Sequence, residues 1–120
     1  MKLPVRLRPE VVKAGHTIIR KGAMGREMYI LVRGEAEVVD EAGDVLKTFK
    51  DGDFFGEIAL LMHTPRTATV RAKTGCDLVA LDKTSFTRIL RDHPQFAAGI
   101  QKVAKERYTL EVRTEHLMEH

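Results

Sequence analysis

The feature that most constrains the fold is a succession of short apolar segments separated by turns that contain glycine and aspartate. Each segment is too short for a stable helix, and each is bounded by residues that favour turns. Several short strands at regular spacing are typical of an all-β sandwich or barrel. The predicted strands are 17–20, 27–33, 35–39, 45–49, 69–72 and 78–81.

Two helices are predicted to close the chain. Asp82 or Thr84 can cap the first, over 83–92, which places Phe86, Ile89 and Leu90 on one face. This helix should end near His93, because the residue before a proline is pushed away from helical geometry. Pro94 then suits the first turn of a second helix, predicted over 94–118.

Two motifs in the middle of the chain form a candidate anion site. Residues 55–61 read Phe-Gly-Glu-Ile-Ala-Leu-Leu, and residues 65–70 read Pro-Arg-Thr-Ala-Thr-Val. Gly56 allows backbone to approach a ligand closely, and a helical turn after it would present free N–H groups to a phosphate. Arg66 can add a charged planar fork. Glu57 would repel a phosphate, and a hydrogen bond from a sugar hydroxyl suits it better.

The two motifs resemble the phosphate-binding cassette of cyclic nucleotide-binding domains. The family pattern is Phe-Gly-Glu, Ile or Leu, Ala or Ser, Leu, and then a short spacer before an arginine flanked by small residues; both halves are present. The resemblance covers roughly residues 7–107, and segments 7–11 and 26–30 look most like the domains of cyclic nucleotide-gated ion channels and their bacterial relatives.

The resemblance implies a mainly β fold with flanking helices, namely a β-roll or jelly-roll barrel (double-stranded β-helix) followed by C-terminal helices. We expect one domain over 1–120, with the β-roll at about 11–82. The family usually has helices before the first strand, and here only residues 1–10 are available for them. The chain is therefore expected to be either a fragment or a minimal domain.

The resemblance also assigns roles to individual residues. Glu57 would hold the ribose 2′-hydroxyl, while Arg66 and the backbone amides of 56–59 would hold the cyclic phosphate. Thr67 could bond the phosphate, the base or only a neighbouring strand, and the resemblance favours contact with the ligand. Val38 and Phe49 either pack on the base or belong only to the core. The predicted ligand-binding residues are Val38, Phe49, Phe55, Gly56, Glu57, Ile58, Ala59, Arg66, Thr67 and Arg107.

Arg107 is singled out by periodicity as well as by resemblance. Phe96, Ile100, Val103 and Leu110 follow one helical stripe, and Arg107 occupies the step between the last two. A charge on an apolar face must reach water or meet a polar partner. In the family the last helix closes over the base, so Arg107 is expected either to contact the purine or to remain an exposed arginine.

Composition removes several other classes of protein. The net charge of +3 arises from bases interleaved with acids, without the dense basic stripe of a nucleic-acid surface. No run approaches the roughly 18 apolar residues of a membrane span, and no signal peptide is visible. The single Cys76 suits a reducing cytoplasm.

No catalytic or metal-binding motif is found. The five histidines are scattered and there is no Cys-x-x-Cys pair, which argues against a metal-dependent jelly-roll enzyme of the cupin type. Nucleophile-elbow and P-loop motifs are also missing. We therefore expect no catalytic residues, no metal and no cofactor. The resemblance implies cAMP or cGMP as the ligand.

The sequence thus predicts a cytoplasmic sensor that binds cAMP, cGMP or both and moves its last helix in response. The attached effector is expected to be an ion channel pore, with the sensor at the cytoplasmic face of the membrane. The alternatives are a catabolite-activator-type transcription regulator, a kinase regulatory subunit, and a scaffold that kept only the fold. The first would need a helix-turn-helix after the last helix, the second usually has two tandem domains, and the third should not need Glu57 and Arg66.

Overall fold

The computed structural model describes residues 6–95, 98–100, 102–103 and 105–107. Within these residues the chain forms eight strands and two complete helices, all in the following order. The elements are β1 (Leu7–Val12), β2 (Thr17–Ile19), β3 (Glu27–Arg33), β4 (Ala36–Val39), β5 (Val45–Phe49), β6 (Phe54–Phe55), α1 (Glu57–Met62), β7 (Thr69–Ala72), β8 (Cys76–Asp82) and α2 (Lys83–Asp92).

The strands form two antiparallel sheets of four strands each. One sheet has the order β1-β8-β3-β6 and the other has the order β2-β7-β4-β5. Side chains from both sheets meet in a single apolar core that includes Leu31, Phe49, Phe55 and Leu78. The prediction of a mainly β fold, with two sheets rolled together and followed by helices, is confirmed.

The first strand begins earlier than the sequence indicated. Residues 1–10 were expected to stand where the family has helices, with the β-roll starting near residue 11. In the structure β1 already begins at Leu7. It pairs with β8 from Leu7–Leu81 to Val12–Cys76. Pro9 fits this strand because β1 lies at the edge of its sheet, where a missing N–H is tolerated. The strand is specified by pairing with a segment about 70 residues away.

A second apolar cluster joins the helices to the outer side of the first sheet. It contains Met28 of β3, Leu60 of α1, Leu81 of β8, Phe86 of α2 and Ile100. Asp82 caps α2 by accepting a hydrogen bond from the Ser85 amide at 2.7 Å, which was one of the two predicted caps. The cluster therefore holds the helices against the roll.

The last helix is described in part. Residues 94–95, 98–100, 102–103 and 105–107 are helical, Ile100 is buried, and Val103 is half-buried. Phe96 and Leu110 of the predicted stripe, and residues 108–118 of the predicted helix, lie outside the described residues. Among the described helices, none combines the length and apolar character needed to cross a bilayer.

Candidate functional site

A cavity opens between the second sheet, α1 and the last helix. It holds about 370 Å³ of empty space, part of which is open solvent. The structure brings every one of the ten predicted ligand-binding residues to its wall, together with three residues that sequence reasoning missed. The residues that line it are Ile19, Val38, Phe49, Phe55, Gly56, Glu57, Ile58, Ala59, Arg66, Thr67, Ala68, Val70 and Arg107.

Gly56 makes the turn that carries the chain from β6 into α1. Its φ of 87° is in the left-handed region, which favours glycine. A side chain there would also meet Nη1 of Arg66, because an added Cβ would lie 2.9 Å from it. The turn places Glu57 at the first position of α1 with its side chain directed inward, so that only 1% of this residue is exposed.

Arg66 is a buried cation held by backbone carbonyls. Its Nη1 donates to the carbonyl oxygen of Gly56 at 2.7 Å, and its Nη2 donates to the carbonyl oxygen of Glu27. Burial lowers the pKa of Arg66 below its ordinary value, although Tyr29, Glu27 and Glu57 oppose the shift. An arginine keeps its proton even so, and a buried cation is stabilised by an anion. Arg66 is therefore positioned to receive one.

The backbone around Arg66 is fixed by the turn that precedes β3. The Arg66 amide donates to the carbonyl of Ala23, and the Gly22 amide donates to the carbonyl of Arg66, both at 2.8 Å. Met24 and Pro65 form an additional β-bridge. The 22–25 turn and the second half of the cassette are thus one hydrogen-bonded unit, although they are far apart in the sequence.

Gly25 packs against two residues of the cavity wall, Ala59 and Arg66, and was not among the predicted ligand-binding residues. An added Cβ at this position would lie 2.5 Å from the Cβ of Ala59 and 2.8 Å from Cζ of Arg66. Its φ is not in the left-handed region, so the requirement here is for space. The family resemblance extends through Gly22 and Gly25, but neither the resemblance nor the turn reveals this close approach.

Glu57 has one carboxylate oxygen paired and the other without a partner. Its Oε1 accepts from Nη1 of Arg107 at 3.1 Å, while Oε2 is buried and has no hydrogen-bond partner in the described part of the chain. Burial raises the pKa of Glu57 above its ordinary value, and Arg107 partly offsets this effect. The cavity therefore contains a buried acceptor with unused capacity.

Arg107 reaches the cavity from the last helix. Its guanidinium lies over the rings of Phe49 and Phe54, with Cζ 5.1 Å and 4.7 Å from their centroids. Its Nη1 also donates to the carbonyl of Phe54. The sequence required either water or a polar partner for this residue, and the structure supplies Glu57. The buried Nε has no partner among the described residues, so the site also contains an unused donor.

The apolar wall of the cavity is continuous with the core of the β-roll. Val38 and Phe49 are 3% and 2% exposed and belong to that core, yet both face the cavity. The rings of Phe49 and Phe55 are stacked with their centroids 5.1 Å apart. The two alternatives that the sequence left open, core packing and a surface for a planar ligand, are therefore compatible for these residues.

The described residues contain no group of three or more histidine, cysteine, aspartate or glutamate side chains that could hold a metal ion. Cys76 is buried and donates to the carbonyl oxygens of Glu35 and Thr74. Burial raises the pKa of this thiol, which opposes formation of the reactive thiolate.

Comparison with known proteins finds similarity over the part of the chain that contains this cavity. A family model described as the cyclic nucleotide-binding domain matches residues 9–93. The cAMP-dependent protein kinase regulatory subunit of Schizosaccharomyces pombe is 44% identical over 89 residues, which are 74% of this chain and 22% of that protein. The human potassium/sodium hyperpolarization-activated cyclic nucleotide-gated channel 1 is 40% identical over 102 residues, which are 85% of this chain and 11% of the channel.

Solved structures show the same relationship. The cAMP-bound PfPKA-R superposes with a TM-score of 0.72 at 35% identity, covering 83% of this chain and 35% of that one. The regulatory domain of Toxoplasma gondii PKA with cAMP has a TM-score of 0.65 at 33% identity, covering 78% of this chain and 39% of that one. The chain spans about a fifth of the kinase subunit and about a tenth of the channel that it matches.

Proposed function

The chain belongs to the cyclic nucleotide-binding domain family, and we propose that it binds cAMP or cGMP in the cavity between Glu57 and Arg66. The carrying observation is that a buried arginine and a buried carboxylate oxygen with no partner among the described residues line the same cavity. A cyclic nucleotide matches this pair, because it has a hydroxyl that can donate to the carboxylate and an anionic phosphate that can bind the guanidinium.

The ribose would be recognised through the unused oxygen of Glu57. A 2′-hydroxyl that donates to Oε2 removes the cost of leaving a buried acceptor unpaired. The same hydroxyl has lone pairs, and Nε of Arg107 is a buried donor without a described partner. The two unused groups therefore favour a ligand that both donates and accepts, which is a property of a hydroxyl.

The cyclic phosphate would be held by Arg66 together with backbone amides at 56–59. The first N–H groups of a helix have no partner within it, and α1 begins directly after Gly56. Arg66 is 8% exposed, so a phosphate that reaches it interacts in surroundings of low dielectric. Phe55, Ile58 and Ala59 would shape this part of the cavity, and their side chains would matter less than their backbone.

The base would pack on Val38 and Phe49, with Thr67 at the side of the cavity. An aromatic ring and an aliphatic side chain provide a flat apolar surface that tolerates either purine. This arrangement is compatible with both nucleotides and supports a preference for neither.

Binding would be coupled to the last helix through Glu57. Arg107 and the ribose would share this carboxylate, and Arg107 belongs to the helix while Glu57 belongs to the cassette. A ligand shifts a conformational equilibrium only by its differential affinity for the two states. A helix that contacts the ligand site in one position only provides that difference, so the domain would act by binding and movement, without catalysis.

The domain would serve as a cytoplasmic regulatory sensor within a larger protein. An ion channel is one effector that the comparisons support, through the 40% identity to a cyclic nucleotide-gated channel, and in that case the domain would lie at the cytoplasmic face of the membrane. A protein kinase subunit is supported equally, through the 44% identity to a kinase regulatory subunit. A catabolite-activator-type regulator is the third candidate.

Calorimetric titration tests the proposal. We expect saturable binding of cAMP, cGMP or both, and much weaker binding of the acyclic 5′-monophosphates, whose phosphate has a different shape and charge. Thermal unfolding in the presence of each nucleotide provides a second readout, because a ligand that binds only the folded state raises its stability. If neither cyclic nucleotide produces binding heat or a thermal shift, this function is excluded.

A further inference from the structure

A carbonyl group at the start of β3 orients Arg66 from behind. Nη2 of Arg66 donates to the carbonyl oxygen of Glu27, the first residue of β3, and Nη1 donates to the carbonyl oxygen of Gly56. These two hydrogen bonds set the direction of the remaining N–H groups of the guanidinium. Whatever holds Glu27 in place therefore also affects the group that is proposed to bind the phosphate.

The side chain of Glu27 is held by Arg8, a residue of the edge strand β1. Nη2 of Arg8 lies 2.8 Å from both carboxylate oxygens of Glu27, and its Nη1 donates to Oε2 of Glu10 at 3.3 Å. Arg8 is directly opposite Ala80 of β8, and Ala80 is directly opposite Tyr29 of β3. Glu27 shares a sheet face with Tyr29, because alternate residues of a strand point the same way. Arg8 thus reaches across β8, over a small side chain, to β3.

The carboxylate of Glu27 is also an anion that acts on Arg66. Burial lowers the pKa of Arg66, and the charge of Glu27 is among the influences that oppose this shift. A carboxylate attracted to Arg66 would compete with a phosphate for the same cation. Arg8 engages this carboxylate from the other side, and the hydrogen bond to Glu27 is the largest of the causes that raise the pKa of Arg8.

We propose that Arg8 is a positioning residue for the phosphate site, which acts by holding the Glu27 carboxylate. The pair would keep the Glu27 carbonyl behind Arg66 and would prevent the carboxylate from competing with the ligand phosphate. The proposal rests on the proposed function, since it requires a cyclic phosphate bound to Arg66. Neither Arg8 nor Glu27 lines the cavity, so their effect on the ligand would be exerted through Arg66.

The exposure of the pair separates this role from a role in folding. The side chains of Arg8 and Glu27 are 56% and 26% exposed. Ion pairs at such positions contribute little to the stability of the folded state. Loss of the pair should therefore change nucleotide affinity while the melting temperature stays close to that of the wild type.

The test is a double-mutant cycle measured on nucleotide affinity. Calorimetric titrations with cAMP and cGMP compare the wild type, Arg8→Ala, Glu27→Gln and the double variant, with Arg8→Lys as the conservative change. Lys73→Ala is the matched control, because Lys73 forms a similar exposed ion pair with Glu35 and does not line the cavity. Thermal unfolding of each variant verifies that it is folded.

We expect Arg8→Ala to weaken the binding of both nucleotides about fivefold. Arg8→Lys should lie between Arg8→Ala and the wild type, because lysine keeps the charge but not the planar fork. In the Glu27→Gln background, the Arg8→Ala change should alter affinity less than about twofold, since Arg8 acts through the charge of Glu27. Lys73→Ala should bind as the wild type does.

Three results would overturn the proposal. An equal loss from Arg8→Ala with and without the Glu27 charge would show that Arg8 attracts the ligand directly. A similar loss in Lys73→Ala would reveal a general effect of net charge, and wild-type affinity in Arg8→Ala would show that the pair does not act on Arg66. If the wild type binds neither nucleotide, the proposed function itself fails.

Discussion

At the scale of single residues, Glu57 is subject to two opposing influences on its charge. Burial favours the protonated carboxyl, whereas Arg107 favours the carboxylate. Its Oε2 has no partner among the residues that the structure describes, so part of the hydrogen-bonding capacity of this carboxylate is unused there. A ligand hydroxyl is one way to use it, and this gives a direct test of the role assigned to Glu57.

Glu57→Gln should abolish the discrimination between cAMP and 2′-deoxy-cAMP. We expect the wild type to prefer the ribose form by roughly tenfold, because a hydrogen bond to a charged acceptor contributes about 1.5–3 kcal/mol. The variant should bind the two almost equally. Glu37→Gln is the matched control, since Glu37 is also buried but pairs with Arg71 and does not line the cavity. Discrimination that survives in Glu57→Gln would reject the ribose assignment.

The raised pKa of Glu57 also predicts a dependence of stability on pH. The folded state holds this proton more tightly than the unfolded chain, where the pKa is near 4.5. The resulting stabilisation is fully present below that value and is lost as the pH rises through the raised pKa. The free energy of unfolding of the wild type should therefore fall relative to Glu57→Gln over this window, as measured by denaturant titration. A difference that stays constant with pH would contradict the shift.

At the scale of elements, the 22–25 turn and the cassette act as one unit because Gly25 allows them to approach. Gly25→Ala should displace Arg66 and Ala59, since the added Cβ would lie within 2.8 Å of both side chains. We expect a lower melting temperature and at least tenfold weaker nucleotide binding, from the loss of charged phosphate contacts. Gly75→Ala is the control, because an added Cβ there meets no atom within 4 Å. Unchanged binding in Gly25→Ala would show that the contact is not required.

The last helix is connected to the cassette by Arg107. Arg107→Ala removes the ion pair to Glu57 and the contacts with Phe49 and Phe54, so we expect roughly tenfold weaker nucleotide binding with the β-roll still folded. Lys105→Ala, at an exposed position of the same helix, should bind as the wild type does. Circular dichroism verifies the fold, and calorimetry measures the affinity. Equal affinities for the two variants would show that Arg107 does not contribute to the ligand site.

The elements also show which features could be predicted from sequence. The cassette could be predicted, because its glycine, carboxylate and arginine lie in two short motifs. The bounds of β3, β5 and β7 could also be predicted from their apolar segments. β1 and the two-residue β6 could not be predicted, because β1 depends on pairing with the distant β8 and β6 on pairing with β3. Periodicity showed that Arg107 needs a polar partner, but Glu57 is 50 residues away.

At the scale of the whole molecule, α1 connects the ligand cavity to the helical cluster. Glu57, Ile58 and Ala59 line the cavity, whereas Leu60 packs in the cluster that includes Phe86 and Ile100. A displacement of α1 on ligand binding would therefore be transmitted to α2 and to the last helix through side-chain packing as well as through the Arg107–Glu57 pair. Tightly packed interiors transmit such displacements. This arrangement suits a sensor whose output is the position of its C-terminal helices.

We propose that Arg66 holds a cyclic nucleotide in this cavity. The most direct measurement is the cAMP and cGMP affinity of Arg66→Ala beside the wild type, with Arg66→Lys and the exposed Arg33→Ala as comparisons. We predict that Arg66→Ala loses about 2–3 kcal/mol of binding free energy, that Arg66→Lys is intermediate because it keeps the charge but not the planar fork, and that Arg33→Ala is unchanged. Folded Arg66→Ala protein that binds both nucleotides with wild-type affinity would show that Arg66 does not hold the ligand.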